Sequence, residues 1–484
     1  MKTLFSPLLM LLVSMGFGYA DSMDFHSIPA SGTEGALSLN GPWKFKYVTG
    51  QDAGPDEAFV KPGHDVAGWG EIKVPGHWEL QGYAAPRYAG DLVDGLGLYR
   101  RTFQAPAAKP GERRYLRFEG ALFGYAVWLN GKKLGEWNSG FNPATFDVTE
   151  VLIPGDNVLA VRISTRSRGW DFDTMDCWSI SGIYREVTLY TLPSTHFLDH
   201  VVRTELRADG SAEVSVAVHA SSAAEFSASL VDPEGKEAGS CQFALGADGQ
   251  GRGSVVVAKP RLWNAESPTL YRLKMALRKD GQVSQQLEQK VGLRQVTVQN
   301  GVLMLNGRPI KLRGVDHHEM WPEEGRVATE ERLRKDLTLM RQANINFIRT
   351  SHYPPHPKLL DLADEMGLYV DCEVPFIHGR EHLKDPAFQD DLYRRARATV
   401  SRDKNHTAII FWSLGNENPV NALGLNAGKL VKELDPTRPI TFPTMGSHFR
   451  SNWEKFPTFV DLYAPHYPSG IFADRAAGRV VRGV

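Results

Sequence analysis

Cysteine is scarce in this chain, and its scarcity argues against two architectures. The chain has 484 residues and only three cysteines, Cys177, Cys241 and Cys372. Three scattered thiols do not form the disulfide framework of a small secreted domain, and no spacing to histidine matches a zinc site. Because three is an odd number, at least one cysteine is expected to be a buried thiol that packs as a small hydrophobic group.

An excess of charge and long hydrophobic runs are also missing. The formal net charge is -1 at pH 7, so no bulk attraction draws the chain to nucleic acid or to an anionic membrane. The one strongly apolar stretch, residues 4–13, follows Lys2 and precedes the small residues Gly18 and Ala20, which is the pattern of a secretory signal peptide. We therefore expect residues 1–20 to be removed and the protein to be secreted or periplasmic, without a membrane span.

The rest of the chain is predicted to form three domains. Residues 21–195 contain short alternating strands separated by turns such as Asn130–Gly131, which predict an antiparallel jelly roll. Residues 196–295 predict an immunoglobulin-like β-sandwich that acts as a spacer. Residues 296–484 alternate strands with helices, which predicts a (β/α)₈ TIM barrel. No Gly-rich phosphate loop follows a strand, which argues against a nucleotide-binding doubly wound sheet.

The barrel segment divides into repeated strand–helix units. Strands are predicted at residues 310–315, 347–350, 368–374, 409–414, 440–443 and 459–464, and helices from Thr329 onward and at 359–366, 387–404 and 425–434. Helix 359–366 is expected to stop at Gly367, a residue suited to the left-handed cap position.

Polar residues cluster where these strands end. The residues are Asp316, His317, His318 and Glu319; Ser351, His352 and Tyr353; Asp371, Glu373 and His378; Asn416 and Glu417; and His466 and Tyr467. Strand ends of a barrel meet at one face, which is where its active sites lie, so we expect one pocket there. Glu417 is the foremost catalytic candidate, because it closely follows the buried strand that contains Trp412.

Several of these residues admit two interpretations. His317 and His318 are each as consistent with a structural histidine as with a site residue. Arg349 lies within a strand and needs an anionic partner, either in a structural ion pair or as an electrostatic element of an active site. Trp412 is expected to be a core residue rather than a stacking platform.

At this point the chain resembles glycoside hydrolase family 2, the β-galactosidase, β-glucuronidase and β-mannosidase family. The resemblance covers almost the whole mature chain. It rests on six segments: Val74-Pro-Gly-His-Trp78, Tyr99-Arg-Arg101, Asp176-Cys-Trp-Ser-Ile-Ser-Gly-Ile-Tyr-Arg185, Arg313-Gly-Val-Asp-His-His318, Arg349-Thr-Ser-His-Tyr-Pro354, and Asn405-His406 through Glu417. It implies a multidomain β-galactosidase-like enzyme that hydrolyses terminal β-linked sugars.

The resemblance also implies residue roles. Glu417 matches the general acid/base and Asn416 the residue that binds the sugar 2-hydroxyl. Tyr467 matches a tyrosine that bonds to the nucleophile, His352 and His378 match histidines that contact sugar hydroxyls, and Asp176 matches an aspartate that the jelly roll extends into the pocket. The implied mechanism retains the anomeric configuration and uses two carboxyl groups about 5–5.5 Å apart.

The sequence departs from the family pattern at its C-terminal end. The family's nucleophile is a glutamate after the seventh strand, whereas this sequence ends at Val484, soon after the predicted sixth strand. We therefore expect a C-terminally truncated barrel that lacks the nucleophile and is inactive unless another chain complements it. Glu373 is the nearest substitute carboxylate, although its strand lies on the wrong side of the missing segment.

Three functional hypotheses follow from these patterns. The first is a glycoside hydrolase, the second a catalytically incompetent carbohydrate-binding fragment, and the third an unfolded gene fragment. A carbohydrate is the expected partner in the first two. No cofactor is indicated with certainty, although some relatives carry a divalent cation near the acid/base. A homo-oligomer and a complementing fragment both stay open.

Overall fold

The structure is a computed structural model that describes residues 35–50, 57–88, 94–377, 385–418, 420–443, 457–462 and 464. The predictions for residues 1–20, His378 and Tyr467 lie outside these ranges.

The first unit consists of two packed antiparallel sheets with short ribbons at their edge. Its elements are β1 (Leu37–Ser38), β2 (Gly41–Thr49), β3 (Gly70–Val74), β4 (Arg87–Tyr88), β5 (Gly95–Ala105), β6 (Arg113–Phe118), β7 (Ala121–Leu122), β8 (Gly124–Leu129), β9 (Lys132–Trp137), β10 (Ala144–Asp147), β11 (Gly155–Ser164), α1 (Trp170–Asp173), β12 (Trp178–Ser179), β13 (Gly182–Ile183) and β14 (Val187–Leu192). The sheets have the orders β1-β14-β6-β10 and β3-β2-β5-β11-β8-β9. The turn at Asn130–Gly131 is confirmed, with φ of 53° and 82°.

The second unit is an immunoglobulin-like sandwich. Its strands are β15 (Phe197–Leu206), β16 (Ala212–Ala220), β17 (Glu225–Val231), β18 (Glu237–Ala244), β19 (Gln250–Val257), β20 (Tyr271–Lys279) and β21 (Gln282–Val291). They form sheets in the orders β15-β16-β19 and β18-β17-β20-β21. Alternating side chains such as Val214, Val216 and Leu273 fill the space between the sheets, which explains the strict period of two in the sequence.

A small antiparallel sheet then precedes the barrel, where the sequence pattern predicted strand–helix alternation. Its strands are β22 (Val296–Gln299), β23 (Val302–Leu305) and β24 (Arg308–Pro309). Positive φ at Asn300–Gly301 and at Asn306–Gly307 closes two tight turns, so each strand pairs with the next instead of crossing over through a helix.

The barrel unit is built from five parallel strands and four helices in the described residues. Its elements are β25 (Gly314–Asp316), α2 (Glu330–Gln342), β26 (Phe347–Arg349), α3 (Pro357–Met366), β27 (Tyr369–Glu373), α4 (Gln389–Asp403), β28 (Ile409–Ser413), α5 (Ala422–Leu434) and β29 (Ile440–Thr441). The strands lie side by side in chain order. A parallel sheet without a reversal of strand order belongs to a TIM barrel rather than to a doubly wound fold.

Helix boundaries follow the capping residues. The Thr329 side chain accepts from the Arg332 amide at the start of α2, as expected, and Gly367 adopts φ 74° at the end of α3. Helix α5 begins at Ala422, before its predicted start at Leu425, because the side chain of Asn421 accepts a hydrogen bond from the Gly424 amide.

Two predicted barrel strands differ from the structure. The strand predicted at 310–315 is paired only from Gly314, because Phe347–Arg349 on its neighbour is itself only three residues long. The strand predicted at 459–464 is reduced, in the described residues, to one bridge between Leu462 and Thr441. There the Asp461 carboxylate accepts a hydrogen bond from the Ile440 amide at 2.9 Å. A side-chain oxygen therefore occupies the position that a backbone carbonyl of the neighbouring strand has in a regular sheet.

Three ion pairs, two of them fully buried, fix the barrel against the two sandwiches. Arg395 of α4 pairs with Asp173 of α1, and the Nη2 atom of Arg185 donates to Glu319 Oε2 at 3.0 Å. Lys404 at the end of α4 contacts the carboxylate of Asp199 in β15 at 2.6 Å. These charged contacts hold the strand ends of the barrel at a defined place beside the jelly roll. Along the described ranges, no helix combines the length and the apolar character that a membrane crossing requires.

Candidate active site

Charged and polar side chains converge at the C-terminal ends of the barrel strands. Pairing in register places Asp316 beside Arg349, Arg349 beside Asp371, and Glu373 beside Ser413. These residues belong to four adjacent strands, β25 to β28. The predicted gathering of polar groups at this face is therefore found in the described part of the barrel.

Glu373 is the centre of the cluster. Its carboxylate is fully buried and accepts hydrogen bonds from Arg349 Nε at 2.9 Å, His352 Nδ1 at 2.9 Å and Ser413 Oγ at 3.3 Å. Burial alone would raise the pKa of this carboxyl, but the Arg349 charge, together with the hydrogen bonds from His352 and Arg349, outweighs burial and lowers the pKa to about 2. Glu373 is thus ionised at neutral pH, and both of its oxygens accept hydrogen bonds.

Arg349 links this carboxylate to Asn416. Its Nη2 atom donates to Asn416 Oδ1 at 3.0 Å, and its Nη1 atom lies 3.7 Å from the Asp316 carboxylate. Burial acts to lower the pKa of Arg349, but the facing anions, Glu373 foremost, leave the pKa raised. Arg349 therefore has the buried anionic partner that the sequence required, and it also contacts a predicted sugar-binding residue.

The loop that carries Glu417 is held tightly against the segment after β27. The Asn416 amide donates to the Phe376 carbonyl at 2.9 Å, and Asn418 Nδ2 donates to the same oxygen at 2.6 Å. A Cβ on Gly415 would lie 1.8 Å from this oxygen, so only glycine fits there. Glu417 is half-buried and has φ 52°, a left-handed conformation that is uncommon for residues other than glycine.

The histidines of the cluster separate into two kinds. His317 Nε2 lies 3.2 Å from the Asp336 carboxylate on α2, which makes it a structural contact between strand and helix. His318 instead packs edge-on against His352, with ring centroids 5.5 Å apart. Burial, reinforced by Arg326, lowers the pKa of His318 to about 4, so this ring is neutral at physiological pH. The structure thus places His318, and not His317, beside His352.

A second buried carboxyl lies two residues before Glu373 on the same face of β27. Asp371 is 3% exposed, and its Oδ1 atom has no hydrogen-bond partner among the described residues. Burial and the neighbouring Glu373 anion raise the pKa of Asp371 well above its ordinary value. The pKa values of two carboxyls on one strand are therefore shifted in opposite directions.

Arg326 of the barrel segment joins the jelly roll to this face of the barrel, and sequence reasoning did not identify it. Buried Arg326 donates to Tyr353 Oη at 2.7 Å and to Cys177 Sγ at 2.8 Å, and so joins the segment before β12 to the residue after His352. Asp176 is exposed beside it, and its carbonyl accepts from Tyr88 Oη at 3.0 Å. The neighbours of Arg326 in the sequence, Gly325 and Val327, do not indicate that its side chain contacts Tyr353 and Cys177.

Among the predicted site residues in the described ranges, the contacts bring Arg349, His352 and Asn416 together around Glu373. Glu417 follows Asn416 directly. The sequence did not predict that Glu373 would be the centre of the cluster, since Glu373 was considered only as a substitute nucleophile. The signal that could have identified it was Arg349, whose place in a barrel strand required a buried anion. Trp412 is a core residue as predicted: it is fully buried, and its indole nitrogen donates to Asp435.

Within the described ranges, no group of three or more His, Cys, Asp or Glu side chains is arranged to hold a metal ion. The described side chains of this cluster contact one another through hydrogen bonds, ion pairs and the ring contact between His318 and His352.

Comparison with protein families assigns almost the whole described chain. Residues 36–193 match the sugar binding domain of glycosyl hydrolases family 2, residues 195–294 match a second model of the same family, and residues 296–470 match its TIM barrel domain.

Curated relatives and solved structures agree with this assignment. A beta-galactosidase of Halalkalibacterium halodurans is 35% identical over 445 residues, which cover 84% of this chain and 43% of that protein. A beta-galactosidase of Pectobacterium atrosepticum is 34% identical over 474 residues, 89% of this chain and 44% of that protein. The chain thus spans less than half the length of these relatives.

Among solved structures, a Bacteroides uniformis beta-glucuronidase has a TM-score of 0.77 at 26% sequence identity. The alignment covers 88% of this chain and 54% of the beta-glucuronidase chain. A β-glucuronidase from Ruminococcus gnavus shares the fold at a TM-score of 0.81 and 22% identity, over 95% of this chain and 85% of its own. With three of its models matched in order along the sequence, the chain belongs to glycosyl hydrolase family 2.

Proposed function

We propose that this chain takes part in the hydrolysis of terminal β-linked sugars, with a β-galactoside as the foremost substrate. Its membership of the family supports glycosidase chemistry, and the curated relatives named beta-galactosidase support the choice of sugar. The solved relatives named β-glucuronidase make a glucuronide the second substrate to test.

Glu417 is the proposed general acid/base and Asn416 its neighbour that binds the sugar. The observation that carries this proposal is the hydrogen bond from Arg349 to Asn416 Oδ1, which fixes the amide at the end of β28, one residue before Glu417. In the first step Glu417 protonates the leaving oxygen, and in the second it deprotonates the attacking water. The sugar hydroxyls are proposed to be contacted by His352 and His378. Asp176 is proposed to extend into the sugar pocket, and Tyr467 to bond to the nucleophile.

The second carboxylate of a retaining mechanism is proposed to come from outside the described barrel strands. Glu373 is unsuitable as a nucleophile, because Arg349, His352 and Ser413 already occupy its oxygens. Asp371 is unsuitable because its raised pKa favours the neutral acid. Barrel strands beyond the described ones, on this polypeptide or on a complementing one, are proposed to carry this group.

Glu417→Gln tests the assignment of the acid. A general acid matters most for a poor leaving group, so in protein that contains the second carboxylate the variant should lose about 10²–10⁴-fold in kcat/KM on an alkyl β-galactoside and much less on a dinitrophenyl β-galactoside. The exposed Glu433→Gln on α5 is the matched control and should leave both rates unchanged. An equal loss on both substrates would contradict the role of Glu417.

A non-catalytic carbohydrate-binding protein is the second candidate function. It is favoured by the occupied oxygens of Glu373, which leave the described strands without a nucleophile. Calorimetry would then detect binding of methyl β-galactoside without turnover, and Glu417→Gln would leave the affinity unchanged.

Export is a separate proposal that rests on residues 1–20. N-terminal sequencing of protein recovered from the periplasm or medium should begin at Asp21.

A further inference from the structure

Glu373 contacts one predicted sugar-binding side chain, His352, directly and reaches another, Asn416, through Arg349. One of its oxygens, Oε1, faces His352 Nδ1 at 2.9 Å. The other, Oε2, accepts from Arg349 Nε at 2.9 Å and from Ser413 Oγ at 3.3 Å, and Arg349 in turn donates to Asn416. A single buried carboxylate therefore connects the end of β26 to the end of β28.

Hydrogen-bond chemistry fixes the state of His352 in this arrangement. An ionised carboxylate can only accept, so the ring nitrogen that faces it must carry a proton. His352 therefore has its proton on Nδ1, and in the neutral ring Nε2 is left as an acceptor.

The same reasoning fixes the amide of Asn416. A guanidinium only donates, so the Asn416 atom facing Arg349 must be the oxygen, as the structure places it. The NH₂ group of Asn416 is then the part of the amide that can donate to a ligand.

We propose that Glu373 is a positioning residue that holds His352 in its Nδ1–H form, so that the neutral ring offers an acceptor, Nε2, to a sugar hydroxyl while Asn416 offers a donor. The protonation pattern stands without any ligand. Its use in sugar recognition rests on the proposed function.

Glu373→Gln separates this role from that of a simple ion pair. A glutamine has one oxygen and one NH₂ group, and the oxygen must face Arg349, which has no acceptor and stays charged. The NH₂ group then faces His352 Nδ1, which has to lose its proton to accept the hydrogen bond. The neutral ring should change to the Nε2–H form, an effect that a loss of charge alone does not produce.

Asp371→Asn is the matched control. Asp371 lies on the same face of the same strand and is buried like Glu373, but none of its described hydrogen bonds reaches His352. The substitution should leave the protonation of His352 unchanged.

The test is nitrogen NMR on the full chain with ¹⁵N-labelled histidine at about pH 8.5, where an ordinary imidazole is neutral. The variant His352→Gln identifies the signals of His352 by their disappearance. Wild type and Asp371→Asn should show a protonated Nδ1, and Glu373→Gln a protonated Nε2. An unprotonated Nδ1 in the wild type overturns the proposal even if the variant fails to fold. An unchanged tautomer in folded Glu373→Gln overturns it as well.

Sugar binding tests the second half of the inference. We expect one monodeoxyfluoro derivative of methyl β-galactoside to bind wild type roughly tenfold more weakly than the parent sugar, because fluorine cannot donate to Nε2. In Glu373→Gln that loss should shrink to less than about threefold, since Nε2–H can face fluorine. Equal losses in both proteins overturn the role in recognition. A wild type with the Nδ1–H ring that binds no sugar overturns the proposed function and leaves the tautomer assignment supported.

Discussion

The immunoglobulin-like sandwich and the inner face of the barrel sheet are both buried, but they are filled in opposite ways. The sandwich core consists of side chains such as Val214, Leu230 and Leu273, which have no polar atoms to satisfy. The barrel face instead buries Glu373 and Asp371 beside Arg349. A buried ion pair is rarely more stabilising than a well-packed apolar core, so the charges indicate a requirement other than stability.

The two regions should also fail differently when altered. In the sandwich, each side chain contributes through the area and volume it fills, and a deletion leaves a cavity. In the barrel face, each charge depends on its partner, and a deletion leaves an uncompensated ion. The predictions below test this difference, beginning with the largest expected effect.

Glu373→Ala should be the most damaging change. It leaves Arg349 buried without its closest anion, which should lower the free energy of unfolding by about 3–5 kcal/mol. The folded pKa of about 2 lies below the ordinary 4.5, so the stabilisation by Glu373 is present above pH 4.5 and is lost as the pH falls toward 2. Urea titrations across this range should therefore show the difference from wild type shrinking in acid.

Asp316→Ala is the control for Glu373→Ala. The Asp316 side chain is 60% exposed and lies 3.7 Å from Arg349, so its removal should change stability by less than about 1 kcal/mol. A loss equal to that of Glu373→Ala would show that the cluster does not depend on the buried carboxylate.

Leu273→Ala should damage the sandwich by about 3 kcal/mol, because the leucine is fully buried and its deletion leaves a cavity. This loss should be independent of pH, and the tautomer of His352 should stay unchanged. Val256→Ala on the exposed outer face of β19 is the control and should cost no more than about 0.5 kcal/mol. Urea titrations at about pH 3 and pH 7 would check the contrast, and a pH-dependent loss for Leu273→Ala would contradict it.

Sequence periodicity predicted the sandwich better than the barrel face for a physical reason. Alternation of apolar and polar residues reports which side of a strand is buried, and it located strands such as Ala212–Ala220 closely. The barrel strands β27 and β28 are buried on both sides and show no such alternation, and β25 is too short to show one. The limits of barrel strands therefore depend on their neighbours, and the strand predicted at 310–315 is only Gly314–Asp316. The bridge at Leu462 likewise depends on where the Asp461 side chain lies.

The candidate site was predictable in its members but not in its connections. Strand ends identified Arg349, His352, Asn416 and Glu417. The sequence could not show that Glu373 would bond to Arg349 and His352 together, because that depends on the register of β27 against β26 and on side-chain direction. Arg326 was missed for the same reason, since its contacts with Cys177 and Tyr353 join segments far apart in the chain.

Asp371→Asn should have the smallest effect and the opposite sign. A raised folded pKa means that the folded state binds more protons than the unfolded state above the ordinary pKa of about 3.9. Wild-type stability therefore falls as the pH rises through that window, whereas asparagine has no proton to lose. The variant should match wild type near pH 3 and become the more stable of the two toward pH 7, as measured by urea titration.

The same substitution should reverse its sign when Glu373 is absent. The Glu373 anion is one cause of the raised pKa of Asp371, second to burial, and Arg349 acts against it. In Glu373→Ala, Asp371 loses its anionic neighbour and becomes the closest carboxyl on β27 that can ionise beside Arg349. Asp371→Asn should then destabilise the protein at pH 7, so that the double variant is less stable than the sum of the single changes implies. Additive effects would show that the two carboxyls titrate independently. The barrel face would then differ from the sandwich core only in having charged side chains, and not in any coupling between their charges.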